Sequence, residues 1–308
     1  MSNPKVSVSL ITFNQEKYIA QCIDSIINQI TDFEFEIVVA DDHSTDRTPD
    51  IIKEYATKYP HLIKPILRRE NLGLVKNAVS TITSCAGKYV ALLEGDDYWV
   101  DNSKLQIQSD YLDKNPNCAF CFTNQYHFME ENPSKKHIAF NETNKPPAKF
   151  NIEYLIKSNT LIPNNTTMFR KSEQPSTFPD WFYKAINWDW AMHALQAQNK
   201  EIGYIDIISL AYRRHSEALH MAENQIDILL NGIEIKQEIN TFLKSEFSDS
   251  LMNFSWEYYE LAFSYLNKYD LPRFIYYYSK YLLSPNKVVK ASVRDNLWRV
   301  KQALKTKK

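Results

Sequence analysis

Two pairs of adjacent aspartates, Asp41-Asp42 and Asp96-Asp97, each follow a short apolar run, Ile37 to Ala40 for the first and Tyr89 to Leu93 for the second. A third run, Val6 to Phe13, leads into Thr12-Phe13-Asn14, and Glu94-Gly95 precedes the second aspartate pair. If these runs are strands of a parallel sheet, their carboxyl ends share one edge, and ligands bind in the crevice outside that edge. Acids crowded there repel one another unless a cation compensates. Oxygen donors with no Cys and few His in the same segments favour a hard ion such as Mg²⁺ or Mn²⁺. Such an ion bridges one or two carboxylates to phosphate oxygens, so the pattern points to a diphosphate ligand. Asp41 has a second reading, as a cap on the turn into His43-Ser44-Thr45.

The apolar runs alternate with helical patterns over residues 6 to 125, which is the signature of βαβ units. Ile37 to Ala40 is too continuously apolar for a strand with one wet face. Ile19, Cys22, Ile23, Ile26, Ile27 and Ile30 mark one helix face with Asn14 as its N-cap, and Thr48-Pro49 opens the next helix as cap and first position. A strand over Ile63 to Leu67 and a helix carrying Leu74, Val75, Ala78, Val79 and Ile82 complete the series. Residues 126 to 187, with six prolines, read as hairpin and loop. A helix from Trp188 to Gln198 and a strand from Ile202 to Tyr212 follow. Beyond about residue 223 only helical stripes remain, Trp256-Tyr259-Phe263-Leu266 and Phe274-Tyr277-Tyr278-Tyr281, a single hairpin of tetratricopeptide type with tyrosines packed helix on helix. The expected division is therefore an α/β domain over 1–222 and an all-α extension over 223–308.

The 36 basic and 37 acidic side chains leave a net charge of -1, so no global field draws nucleic acid or an anionic membrane. Five scattered glycines supply neither a dinucleotide fingerprint nor a phosphate loop. Cys118 and Cys121 form a CxxC without a second pair, and read as part of a buried strand, Cys118 to Phe122, rather than a zinc or redox site. No leader layout and no membrane-length apolar run is present, which leads to the expectation of a cytoplasmic protein. Residues 287–308 carry 8 basic side chains against Asp295 alone, with Val288, Val293, Leu297 and Leu304 among the interspersed apolar residues. That tail reads equally as an amphipathic contact with the inner membrane surface or as a solvated helix end.

The ordered segments VSVSLITFN, EIVVADDHSTDRT, ENLGLVKN and GKYVALLEGDDYW closely resemble the N-terminal half of family 2 glycosyltransferases of the GT-A fold. The resemblance covers about residues 5 to 125 and extends more loosely to about 215. It implies a Rossmann-like, mostly parallel sheet flanked by helices. By the same resemblance, Thr12 and Phe13, with Asn14 beside them, correspond to nucleobase-binding positions, and Asp42 to the acid on the base's polar edge. Lys76 corresponds to a basic residue near the ribose and diphosphate. Asp96 and Asp97 resemble the family's acid pair, the first near the ribose and the second on the metal, Trp188-Asp189-Trp190 resembles the catalytic-base segment with Asp189 as the base, and His215 resembles a histidine that reaches the metal or diphosphate. Trp188 stands where the family often has an acid, Lys76 where it usually has Arg, and Glu94-Gly95 where Asp and a small residue are common.

The activity so implied is inverting, non-processive transfer of one sugar, a UDP-sugar being the favoured donor. The acceptor is a hydroxyl of a glycan or lipid-linked saccharide. Processive synthases carry a QxxRW motif and membrane spans that this chain lacks. Two other readings compete: a sugar-nucleotide nucleotidyltransferase, against which Thr12-Phe13-Asn14-Gln15 stands in place of the Gly-rich phosphate loop, and a non-catalytic nucleotide- or sugar-binding scaffold. Self-association through the helical end is a further expectation.

Overall fold

The computed structural model describes residues 4–158, 162–175, 177–215 and 225–284. Among them one sheet contains β1 (Val6–Thr12), β2 (Phe35–Asp41), β3 (Ile63–Leu67), β4 (Tyr89–Glu94), β5 (Tyr98–Trp99), β6 (Cys118–Met129), β7 (Asn132–Ile138), β8 (Lys149–Phe150), β9 (Met168–Arg170) and β10 (Glu201–Arg214). Its order is β3-β2-β1-β4-β9-β6-β10-β5, with β7 on β6 and β8 on β10. β1 to β4 run parallel, as do β6 and β10, whereas β9 is antiparallel to both β4 and β6. Helices α1 (Ile19–Ile27), α2 (Thr48–Lys58), α3 (Leu74–Ser84), α4 (Lys104–Lys114), α5 (Ile152–Ser158) and α6 (Trp188–Gln196) are interspersed. This is the mostly parallel α/β architecture of the GT-A fold.

Local chemistry explains the frame. Every residue of β1 is buried, as a strand covered on both faces requires. On α1, Ile19, Cys22, Ile23 and Ile26 are fully buried in the same core cluster as Val6, Val8 and Leu10, and each such isoleucine contributes roughly 1.5–3 kcal/mol. The expected N-cap is corrected: α1 begins after Tyr18, and Asn14 lies in the preceding loop with a left-handed φ of 52°. Because α1 ends at Ile27, Ile30 is 69% exposed instead of continuing the buried face. Thr48 is the first residue of α2, not its cap. The region read as loops also supplies β9 to the middle of the sheet, with Met168 and Phe169 fully buried. Cys118 and Cys121 are free and buried in β6, as the strand reading expects.

The described chain divides into two compact units. One comprises residues up to Pro179 and from Met192 through β10; the other takes Asp180–Ala191 and the helices from Gln225 onward. The expected boundary at 222/223 lies outside the described residues, and the helical unit additionally includes Asp180–Ala191. Its helices are α7 (Gln225–Phe242), α8 (Ser248–Leu251), α9 (Ser255–Asn267) and α10 (Leu271–Leu283). Asp270 caps α10 by accepting the Arg273 N–H at 3.1 Å, and Pro272 fits the first turn because no N–H partner is needed there. The tyrosines pack helix on helix: Tyr265 stacks on Tyr277 with centroids 5.6 Å apart, and Tyr259 meets Tyr281 edge-on at 5.2 Å. Trp256 departs from its expected stripe and is 44% exposed. The basic tail, 287–308, lies outside the described residues.

Candidate functional site

The strand order reverses between β1 and β4, which makes their carboxyl ends a topological switch point. Across that edge Thr12 is in register with Asp41, and Ile11 with Glu94. The loops leaving β1 and β2 are zipped together. Asn14 Oδ1 accepts the Thr45 N–H at 2.8 Å, Asn14 N–H donates to Ser44 Oγ at 2.8 Å, and Gln15 N–H donates to Thr48 Oγ1 at 2.9 Å. Phe13, in the first of these loops, is 36% exposed, while Thr12 is buried and donates to Gln15 Oε1 at 2.7 Å. Only glycine fits at 95 without displacement, because a Cβ there would lie 2.5 Å from Gln15 Oε1 and 2.8 Å from Thr12 Oγ1.

The four aspartates have separate tasks. Asp41 caps its own turn, accepting from the Ser44 N–H at 3.0 Å and from the Ser44 hydroxyl, which is the second reading given to it. Asp42 is buried, and its two oxygens accept the N–H groups of Leu72 at 2.8 Å and Gly73 at 2.9 Å. It therefore pins the loop that opens α3, where Gly73 has φ 82° and Lys76 is exposed on the first turn. Asp97 is 1% exposed, and both its oxygens are also taken: Oδ1 accepts the Arg213 N–H at 2.8 Å and Oδ2 accepts from Asn165 Nδ2 at 2.7 Å. Asp97, the residue expected on the metal, is thus held by one hydrogen bond on each oxygen. Asp96 is the one beside His215, with Oδ2 and Nε2 3.2 Å apart.

Arg213 fixes this pair from one side. Its Nε donates to the Asp96 carbonyl at 3.0 Å and an NH2 group donates to Gln21 Oε1 at 2.7 Å, while Tyr18, Tyr98 and Phe128 surround the guanidinium within 5.6 Å. Tyr18 also lies 4.9 Å from the His215 ring, and its hydroxyl donates to Glu130. The acids leave a negative field. Burial, then the charges of Asp97 and Asp96, push the Cys22 thiol well above its usual range. Burial, then Asp97, Glu94 and Asp96, push the Tyr212 phenol up. Burial first, and next the charge of Asp96, raise the pKa of Asp97 itself.

Asp96 and His215 are the oxygen and nitrogen donors that would hold a divalent ion. At 3.2 Å the two side chains are within hydrogen-bond distance of each other. No three His, Cys, Asp or Glu side chains form a ready-made cage among the described residues. Oxygens of a diphosphate and water suit the remaining positions. Asp189 belongs to the helical unit, in the first turn of α6, where its Oδ1 accepts the Trp190 N–H at 2.8 Å and burial raises its pKa. Sequence reasoning missed Arg213 and Gln15 as organisers, and Asn165 and Tyr18 altogether, since most of their partners are distant in the chain or lie in unmarked loops.

A sheet of this order, with polar residues gathered at its switch point, defines the open α/β class whose ligands bind outside the carboxyl ends of the strands. Residues 7–174 match glycosyl transferase family 2, and the chain belongs to that family. The uncharacterized protein Rv1520 of Mycobacterium tuberculosis is 36% identical over 218 residues, which is 70% of this chain and 60% of that relative's length. Among solved structures, the chain resembles S. aureus TarS 1-349 in complex with UDP-GlcNAc, with a TM-score of 0.63, 20% identity, and 90% of this chain and 80% of that one covered. It also resembles the mannosyltransferase PcManGT from Pyrobaculum calidifontis in complex with GDP-Man and Mn²⁺, with a TM-score of 0.60, 14% identity, and 100% and 82% coverage.

Proposed function

We propose that this protein transfers a single sugar from a nucleoside-diphosphate donor, a UDP-sugar by preference, to a hydroxyl acceptor with inversion at the anomeric carbon. The observation that carries the reading is the 3.2 Å approach of Asp96 and His215 at the switch point of a family 2 sheet. Asp96 and His215 would hold a Mn²⁺ or Mg²⁺ ion, which would neutralise charge developing on the departing diphosphate. Phe13, Thr12 and Asn14 form the nucleoside end of the pocket, and Asp42 acts there indirectly, by fixing the loop that presents Lys76. Asp189 takes the proton of the acceptor hydroxyl; a positioned base is worth typically 10²- to 10⁴-fold, and desolvation makes its carboxylate more basic. The acceptor is a glycan or a lipid-linked saccharide. The tail over 287–308 makes the contact with an anionic membrane surface.

A donor-hydrolysis assay with Mn²⁺ tests the reading. Slow release of nucleoside diphosphate from a UDP-sugar supports it. Pyrophosphate release from a nucleoside triphosphate, or tight binding without turnover, refutes it. Asp189→Asn is expected to keep donor affinity and lose turnover by the general-base factor. Wild-type turnover in that variant removes Asp189 from the mechanism. Loss of residues 287–308 is expected to abolish sedimentation with anionic liposomes, and unchanged sedimentation refutes the membrane contact.

A further inference from the structure

We propose that Asn165 and Asp97 form a strut that positions the Asp96–His215 pair, both acting as positioning residues and neither as a ligand; the proposal rests on the metal-assisted reading above. Asp97 Oδ1 holds the Arg213 N–H at 2.8 Å and Oδ2 holds Asn165 Nδ2 at 2.7 Å, with Asp97 1% and Asn165 4% exposed. Asp96 immediately precedes Asp97, and His215 follows Arg213 by two residues. Clamping 97 to 213 therefore sets how closely 96 approaches 215.

The third point of the strut is itself fixed. The Asn165 carbonyl accepts from the Trp99 indole at 3.2 Å, the Thr166 hydroxyl donates to the Thr123 carbonyl at 3.0 Å, and the Thr166 carbonyl accepts from Gln108 Nε2 at 2.8 Å. The turn Asn164–Thr166 is thus tied to β5, β6 and α4 before its amide reaches Asp97. Groups that orient ligands in this way typically change metal affinity 10- to 100-fold when removed.

Asp97→Asn separates a strut from a ligand. Its amide keeps an oxygen for the Arg213 N–H and offers an NH₂ toward Asn165, whose amide can turn to accept it. A neutral amide cannot replace a carboxylate on the ion in the same way. The measurements are Mn²⁺ affinity in the presence of UDP, UDP affinity in EDTA, and hydrogen exchange of the Arg213 amide. Asp97→Ala and Asn165→Ala should weaken Mn²⁺ binding 10- to 100-fold and speed Arg213 exchange, with UDP affinity in EDTA unchanged. Asp97→Asn should lose only a few-fold in Mn²⁺ affinity and keep slow exchange. The strut is overturned if Asp97→Asn is as weak as Asp97→Ala, or if Asn165→Ala matches wild type in both ion affinity and exchange. If Asn165→Ala does not fold, the comparison of Asp97→Asn with Asp97→Ala decides. A wild-type protein that binds neither UDP nor Mn²⁺ refutes the functional reading instead, and the Arg213 exchange rates still test the strut.

Discussion

Acid should destabilise this protein through one side chain in particular, His193. It is 1% exposed on α6, it stacks on Phe120 with centroids 5.0 Å apart, and its Nε2 is buried without a hydrogen-bond partner among the described residues. Burial lowers its pKa to about 3, against an ordinary value of about 6.5. Below about pH 6.5 the unfolded chain therefore takes up a proton that the folded chain refuses. The stability is fully present above that pH and is lost as the pH falls toward 3. At ~1.4 kcal/mol per pH unit the ceiling is ~5 kcal/mol, of which ~3 kcal/mol is lost by pH 4. That is a large share of the ~5–15 kcal/mol that holds a typical domain. His193→Phe keeps an aromatic ring against Phe120 and removes the titration. Urea unfolding of both proteins from pH 7 to pH 4, followed by tryptophan fluorescence, should show the variant gaining on wild type by ~3 kcal/mol as the pH drops. A difference that stays constant across the series refutes the reasoning.

Three further outcomes follow from buried contacts. Lys104 is fully buried, over the Trp99 ring at 4.2 Å and bonded to Gln108 Oε1 at 2.5 Å, and desolvation lowers its pKa to about 7. The unfolded chain holds that proton up to about pH 10.4, so wild type should gain a few kcal/mol of stability between pH 7 and 10; Lys104→Met should flatten the rise, and equal slopes in urea unfolding would refute this. Asp42→Ala leaves the Leu72 and Gly73 N–H groups without their carboxylate, and at ~1.5–3 kcal/mol per charge-assisted bond it should lower the unfolding midpoint clearly more than Asp42→Asn does. Equal midpoints for the two variants count against the pinning role. Gly95→Ala must displace Gln15 or Thr12 and should cost ~1–3 kcal/mol as over-packing, together with UDP affinity measured by calorimetry; wild-type values in both would show that the edge is looser than its contacts indicate.

How much of this was legible in the sequence follows from the range of the interactions. β1 to β4 could be read because each is a continuous apolar run whose burial on both faces leaves a local mark. Three-residue β9 could not, since no periodicity can be counted over so few positions, although it joins β4 to β6 at the centre of the sheet. Asn14 looked like an N-cap by residue type, yet its side chain bonds to Thr45 in the neighbouring loop and α1 starts after Tyr18. The acidic edge was visible from the spacing of the aspartates, but their division of labour was not. Asp97 takes its partners from positions 116 and 68 residues away, and no local pattern marks those donors.

That division of labour sets Asp96 apart from the other three aspartates. A carboxylate placed at a sheet edge must be compensated by N–H donors or by a cation, because burial disfavours its charged form. Asp41 accepts from Ser44, Asp42 from the backbone of Leu72 and Gly73, and Asp97 from the Arg213 backbone N–H and the Asn165 amide. Each of the three is buried, at 4% exposure or less. Asp96 keeps 16% of its side-chain surface and faces an imidazole, a group that carries positive charge only when protonated. Besides burial, the charges of Asp97 and Asp96 push up both the Cys22 thiol and the Tyr212 phenol. The folded chain thus gives three of its four edge aspartates N–H or hydroxyl donors and sets the fourth, Asp96, beside His215.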